Sequence, residues 1–168
     1  ELDSAGVSYI DFTGYFIENR DLSPHPLFAK YGSHWNSYGA LIAADSTIKY
    51  IEQKLEKRLP EIIIDRVNYS IRPKNHDNDI VRTMNLIWEI KFDQMPYPDY
   101  HIEKSDDTFV PRALFVADSF YNIWELLGII DSVFDNNDFW YYHEDVYPQR
   151  DHEHSNAWNL NIEEEIAS

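Results

Sequence analysis

The chain of 168 residues is 43% hydrophobic, 15% aromatic and 26% charged, which predicts a single globular domain with a sizeable core and excludes disorder over the whole length. With 14 basic and 30 acidic residues the net charge is −16, so we expect neutral, cationic or sugar-like partners and no nucleic acid. The absence of cysteine excludes disulfides and thiolate chemistry, and because no apolar run is long enough for a membrane span we expect no direct membrane insertion.

The first third of the chain is predicted to form a strand, a loop and one long helix. Residues 7–12 carry β-branched and aromatic side chains in partial alternation, which favours a strand. Residues 22–32 contain prolines and end in glycine, so we expect a loop. Apolar residues then recur every three or four positions over residues 38–59, with Asn36 or Ser37 available as N-cap and a proline at the end, which predicts a helix.

The middle of the chain gives weaker signals. Residues 61–67 are predicted to form a short apolar strand, and the polar residues 72–79 a surface loop that buries little. Residues 84–90 fit either a helix or a strand. Residues 93–107 are rich in proline and aspartate, so we expect an irregular connection there.

A strand followed by a helix is predicted around Ser119. The compact apolar run of residues 112–117 is typical of a parallel strand buried on both faces, and it leads through Ser119 into a helical pattern at 121–127 that can continue across Gly128. Residues 139–142 are predicted to form an aromatic strand. This alternation predicts an α/β fold with a mostly parallel sheet.

Ser119 is the candidate nucleophile. A serine between a buried strand and a helix N-terminus has backbone N–H groups nearby that can stabilise an oxyanion, and it needs a base to remove its proton. His34 is the candidate base, because the turn before the long helix can present an imidazole to a cleft. In the alternative interpretation, Ser119 only caps the helix that follows it, and His34 only orients the start of its own.

Two short blocks carry a resemblance to a known family. The block Ala-Asp-Ser-Phe at residues 117–120 resembles the Gly-Asp-Ser block of SGNH hydrolases, and Gly-Ser-His-Trp at residues 32–35 is similar to the Asp-x-His-Trp block of the alginate O-acetyltransferase branch. The histidine block precedes the serine block here, as in that branch. The resemblance implies a three-layer α/β sandwich with a mostly parallel central sheet, formed by residues 1–168 as one SGNH-like domain of a longer chain and lacking flanking elements.

The same resemblance implies a function. We expect a carbohydrate O-acetyltransferase or acetylesterase that modifies a cell-surface polysaccharide through a Ser119–His34 acyl-enzyme mechanism, in the periplasm or elsewhere outside the cytoplasm, without metal or organic cofactor. A polysaccharide or acetylated sugar would be the substrate, and an acetyl-donor protein a further partner. The aromatic residues Trp35, Trp140 and Tyr141 are candidates for substrate binding, with core packing as the alternative.

The chain departs from the family pattern at the orienting acid. The expected aspartate falls on Gly32, so Asp11, Asp79 or a backbone carbonyl would have to take its place, whereas alternation along a strand should direct Asp118 away from Ser119. The loss of this acid motivates an alternative function, a catalytically inactive polysaccharide-binding or scaffold domain.

Two further features remain open in the sequence. The second oxyanion donor is not assigned, and the candidates are Asn36, Asn85 and Asn122. The segment 151–154 places two histidines two residues apart, which could bind a transition metal, but a solvated polar tail is the simpler interpretation.

Overall fold

The computed structural model describes residues 6–88, 90–142, 144–148, 156–161 and 163–164. Its helices are α1 (Phe12–Asn19), α2 (Ser37–Leu55), α3 (Asp79–Thr83), α4 (Tyr121–Leu126) and α5 (Ile129–Val133). Its strands are β1 (Glu61–Ser70), β2 (Met95–Glu103), β3 (Arg112–Ala117), β4 (Asp135–Tyr141) and β5 (Asp145–Tyr147). The polar segment 151–154 lies outside the described residues.

The strands form two small sheets, so the described part of the chain has a mixed α/β fold. β1 and β2 pair antiparallel as a two-stranded ribbon, and the second sheet has the order β3-β4-β5. β3 and β4 run parallel, with Ala117 opposite Tyr141, whereas β5 is antiparallel to β4. The expectation of a mostly parallel sheet is therefore wrong for the described residues, in which only the β3–β4 pair is parallel.

Helix α2 lies at the centre of the core. One cluster of buried residues joins α2 to β1, α4, α5 and β4 through side chains that include Leu41, Ile48, Ile62 and Ile130. A second cluster joins α2 to α1, α4 and the loop before α2. The indole N–H of Trp124 in α4 donates a hydrogen bond to the Ala40 carbonyl of α2 at 2.9 Å, so α4 is fixed to the helix that follows His34.

Several predicted elements are confirmed. Helix α2 begins after the N-cap Asn36, whose side chain accepts from Gly39 N–H, although it ends at Leu55 and not at residue 59. The elements β1, β3, α4 and β4 overlap the segments where a strand or helix was predicted. The helix after Ser119 stops at Gly128, which takes a left-handed conformation at φ 69° and separates α4 from α5.

Other predictions are wrong. Residues 7–11 form no regular element, because the helix α1 begins at Phe12 and Asp11 caps it by accepting from Gly14 N–H. Residues 93–107 contain the strand β2. Strand β3 is half-buried or exposed along its length, so it is not the fully buried strand that was expected. Phe115 packs partly buried against one core cluster and Leu114 against another. Residues 84–88 and 90 form neither a helix nor a strand.

None of the helices in the described part of the chain is long and apolar enough to cross a membrane.

Candidate active site

Ser119 lies in the tight turn that connects β3 to α4. The Asp118 carboxylate accepts a hydrogen bond from the Phe120 N–H at 3.0 Å, and the Ser119 carbonyl accepts from Asn122 N–H at 3.3 Å. Asp118 is thereby occupied within the turn and does not orient the base. The half-buried Ser119 side chain is left at the carboxyl end of the parallel strand pair.

His34 is held by the rigid start of α2. Besides capping the helix, Asn36 donates from its amide nitrogen to the Pro26 carbonyl at 2.7 Å. Position 39 needs glycine, because a Cβ there would lie 2.2 Å from the Leu27 carbonyl oxygen. The loop before α2 therefore packs closely against the first turn of the helix, and the imidazole of His34 is only 8% exposed.

The side chains of Ser119, His34 and Asp79 form a continuous hydrogen-bonded row. The Ser119 hydroxyl lies 2.8 Å from Nε2 of His34, and Nδ1 of the same ring lies 2.8 Å from Oδ2 of Asp79. These residues come from the β3–α4 turn, the loop before α2 and the first position of α3. Their order and distances are those of a Ser-His-Asp triad.

Asp79 is fixed by Ser33, the neighbour of His34. The Ser33 hydroxyl donates to Oδ2 of Asp79 at 2.6 Å, and the Ser33 backbone N–H donates to Oδ1 at 2.8 Å. Burial alone would raise the pKa of the Asp79 carboxyl, but the hydrogen bonds from Ser33 and His34 together outweigh it, and its pKa lies below the ordinary value. The carboxyl is therefore ionised at neutral pH.

The charge on Asp79 determines the tautomer of His34. A carboxylate only accepts hydrogen bonds, so Nδ1 must carry the proton that bonds to it. Nε2 is then unprotonated in the neutral ring and accepts the hydroxyl proton of Ser119. This is the arrangement in which histidine acts as a general base toward serine.

The packing around Gly32 explains why no acid stands at the position that the family pattern suggests. A Cβ at Gly32 would lie 2.8 Å from the His76 carbonyl oxygen and 3.2 Å from the Asp77 carbonyl carbon. These atoms belong to the segment that leads into Asp79. The segment that supplies the acid thus fills the space that a side chain at position 32 would need.

Asp77 connects the segment before Asp79 to strand β2. It is 5% exposed, and its carboxyl accepts a hydrogen bond from the Tyr97 hydroxyl of β2. Burial raises the pKa of Asp77, and it also raises the pKa of Tyr97 together with the hydrogen bond to Asp77. The expectation that residues 72–79 form a surface loop with little burial is therefore wrong at Asp77.

Three donors at the site are close enough to hold a metal ion. One ligand atom from each of His34, His76 and Asp79 lies within 4.8 Å of the others, and the rings of the two histidines are 5.0 Å apart. A metal held by His34 and Asp79 through the atoms that now bond to each other would replace the Nδ1 proton, so it would compete with the arrangement of the triad.

The three aromatic candidates lie in different places. Trp35 is buried against Phe120 and Trp124, and it also lines a large apolar groove. Trp140 is 1% exposed and packs with Val146 and Ala157 in the core, so the structure does not place it where a substrate would reach it. Its neighbour Phe139 faces the opposite side and is buried in another core cluster, so both faces of β4 are covered.

Tyr141, the next residue of β4, is half-buried and lines a separate groove of about 330 Å³. Asn122, Glu125 and Tyr147 line the same groove.

Of the candidate oxyanion donors, Asn36 already caps α2 and donates to the Pro26 carbonyl, and Asn85 is exposed. Asn122 is the remaining candidate, and it lies three residues after Ser119 in the chain.

Sequence reasoning named Asp79 as one of three possible substitutes for the missing acid, and it missed Ser33 and His76. No local signal identifies Ser33, because its role depends on a carboxylate 46 positions away in the chain.

Comparisons of this chain with known proteins found no matching family model, no matching curated protein and no matching solved structure.

Proposed function

We propose that this chain is an SGNH-like carbohydrate O-acetyltransferase or acetylesterase that acts on a cell-surface polysaccharide through an acyl-enzyme on Ser119. The observation that carries the proposal is the row formed by Ser119, His34 and Asp79, with both hydrogen bonds at 2.8 Å. A serine that merely caps a helix needs neither an imidazole at this distance nor a carboxylate behind it.

The reaction follows from these positions. Nε2 of His34 removes the hydroxyl proton as Oγ of Ser119 forms a bond to the ester carbonyl carbon. The tetrahedral intermediate collapses, the ester C–O bond breaks, and His34 returns the proton to the leaving oxygen. Water or a sugar hydroxyl then attacks the acyl-serine and gives up its proton to Nε2 of His34. The second tetrahedral intermediate collapses, the bond between the acyl carbon and Oγ breaks to release the acid or the acetylated sugar, and His34 returns the proton to Oγ of Ser119.

The roles of Asp79 and the oxyanion donors complete the mechanism. Asp79 keeps the proton on Nδ1 and stabilises the imidazolium that forms when Nε2 is protonated. The backbone N–H of Ser119 is the first proposed donor to the oxyanion, with Asn122 as the second. Such donors contribute roughly 3–4 kcal/mol to an acyl-transfer transition state.

The acceptor sugar is proposed to bind in the groove lined by Tyr141. Tyrosine rings stack on sugar faces, and Asn122 and Glu125 in the same groove can hydrogen-bond to sugar hydroxyls. The expected setting outside the cytoplasm and the acetyl-donor protein partner belong to this proposal, as does a three-layer sandwich in which the parallel β3–β4 pair is one part of the central sheet. No metal takes part in the proposed steps.

The alternative is a catalytically inactive polysaccharide-binding or scaffold domain. The missing acid at Gly32 motivated it, and the carboxylate of Asp79 at 2.8 Å from His34 removes that motivation. The aromatic and acidic surface remains compatible with either function.

Hydrolysis of p-nitrophenyl acetate by the wild type, Ser119→Ala and His34→Ala tests the proposal. We expect turnover by the wild type and a loss of at least about a thousandfold in both variants, with unchanged folding by circular dichroism. Ser105→Ala is the matched control, because Ser105 is exposed and bonds only within its own turn. Labelling of Ser119 by a fluorophosphonate, located by mass spectrometry, gives a second readout. A folded wild type that neither turns over the ester nor is labelled would favour the inactive alternative.

A further inference from the structure

A large apolar groove begins at the residues on either side of Ser119. Its volume is about 900 Å³, and both Asp118 and Phe120 line it. Helix α1 and the loop before α2 form its walls. The hydrophobic side chains that line the groove include those of Phe12, Phe16, Ile17, Leu27, Phe28 and Phe120.

Phe120 connects the groove to the catalytic pair. Its ring lies 4.9 Å from the imidazole of His34 and 5.0 Å from the indole of Trp35, measured between ring centroids. Phe120 therefore contacts the base and lines the groove at the same time. Because the residues before and after Ser119 both line the groove, a group bonded to Oγ of Ser119 would begin next to the groove.

The lining of the groove is mostly apolar, and two of its polar residues are hydrogen-bonded within the protein. Of its polar lining residues, Ser23 donates to the His25 carbonyl, and Nδ1 of His25 bonds to the Tyr69 hydroxyl at 2.6 Å. Arg20 and Lys30 pair with the acidic residues Asp21 and Asp93. A hydrocarbon chain fits this lining, whereas a sugar would lose its hydrogen bonds to water without replacement.

We propose that this groove binds the hydrocarbon chain of the acyl group, so that Ser119 accepts medium-chain acyl esters and prefers them to acetyl esters. This inference rests on the proposed acyl-enzyme on Ser119 and changes its acyl group, because a preference for octanoyl over acetyl esters would replace the acetyl specificity of the proposed function. An acetyl group has a single methyl and leaves the groove unfilled. Each methylene that the groove removes from water strengthens binding by up to about fourfold.

The first experiment measures kcat/KM for p-nitrophenyl acetate, butyrate, hexanoate and octanoate below micelle-forming concentrations. We expect the value to rise along the series, with octanoate at least about tenfold above acetate. An active enzyme whose kcat/KM falls from acetate to octanoate would overturn the inference and leave the proposed function intact.

The Ile17→Glu variant tests whether the preference comes from this groove. Ile17 is 71% exposed on α1, so the substitution should leave the fold unchanged while it places a charge against the hydrocarbon chain. We expect the ratio of kcat/KM for octanoate to that for acetate to fall at least about tenfold. The matched control is Ile87→Glu at a position that is 95% exposed and does not line the groove; an equal loss in the control would contradict the assignment.

Binding to the Ser119→Ala variant separates the two proposals. Isothermal titration with octanoate should show saturable binding that Ile17→Glu weakens, independent of turnover. Binding without turnover of any ester by the wild type would support the chain-binding groove and contradict the proposed catalysis. No binding of octanoate would overturn the inference.

Discussion

Replacing Asp79 with Asn keeps the shape of the side chain and removes its charge. An amide can present either its oxygen or its NH₂ group to His34, so the tautomer with the proton on Nδ1 is no longer enforced and the imidazolium loses its stabilising partner. We expect kcat for p-nitrophenyl acetate to fall by about 10³- to 10⁴-fold. Asp107→Asn is the matched control, since Asp107 is exposed and remote in the chain from the site. Turnover by Asp79→Asn at the wild-type rate would show that this carboxylate does not orient the base.

A side chain at Gly32 is expected to damage the site even when it supplies an acid. The added Cβ would lie 2.8 Å from the His76 carbonyl oxygen, so the segment that carries Asp79 must move. We expect Gly32→Asp and Gly32→Ala to lose about 1–3 kcal/mol of unfolding free energy each, measured by urea denaturation, and to lower kcat. The alanine variant separates the steric effect from the charge. Recovery of activity when Gly32→Asp is combined with Asp79→Asn would contradict this account.

The sequence was sufficient to pair Ser119 with His34 but not to choose the acid. Serine and histidine each stand in a recognisable block, whereas Asp79 lies in a polar stretch with several similar carboxylates. Its selection depends on the hydrogen bonds from Ser33 and on the packing at Gly32, and both are tertiary contacts. The position of Trp140 in the core could not be predicted for the same reason, because the sequence of β4 does not show that both of its faces are covered.

At the scale of elements, the buried pair of Asp77 and Tyr97 connects β2 to the segment that carries Asp79. The pKa of Asp77 is raised in the folded protein, chiefly by burial, so between its ordinary and its raised pKa the folded state binds more protons than the unfolded state. The stability that this group contributes is therefore present at low pH and is lost as the pH rises through that window.

The variant Asp77→Asn does not titrate and can still accept from the Tyr97 hydroxyl. The unfolding free energy of the variant minus that of the wild type should therefore increase with pH above about pH 4. Urea denaturation across a pH series measures this difference. In a Tyr97→Phe background the carboxyl loses a hydrogen bond that lowers its pKa, so the increase should extend to higher pH. A difference that is independent of pH would contradict the raised pKa.

The ribbon formed by β1 and β2 shows what limited the prediction of elements. Prolines 96 and 98 indicated an irregular connection, because proline cannot donate to a sheet ladder. Among the described residues β1 and β2 pair only with each other, so each has an outer edge without a partner strand. Residues two apart direct their backbone nitrogens to the same edge, so a single outer edge can accommodate both prolines. The start of helix α2 was predictable because its apolar period and its N-cap are local properties, whereas its end at Leu55 comes before the proline stop that the sequence suggests.

At the scale of the whole molecule, the net charge of −16 sets which polysaccharides can approach the site. The surrounding field repels a polyuronate and leaves a neutral glucan unaffected, and it acts over about 30 Å at 0.01 M salt but about 8 Å at 0.15 M. The net charge therefore favours a neutral polysaccharide, whereas the resemblance to the alginate O-acetyltransferase branch suggests an acidic one. The expected preference for a neutral polysaccharide follows from the amino-acid composition and does not depend on the sheet arrangement.

Deacetylation of an acetylated neutral glucan and of an acetylated polyuronate at the two salt concentrations tests this expectation. We expect kcat/KM for the polyuronate to rise about two- to tenfold as salt is added, because screening removes the repulsion during encounter. The values for the neutral glucan and for p-nitrophenyl acetate, the uncharged control, should stay level. A polyuronate that reacts faster at low salt than at high salt would contradict this expectation and show that the net charge does not control its approach.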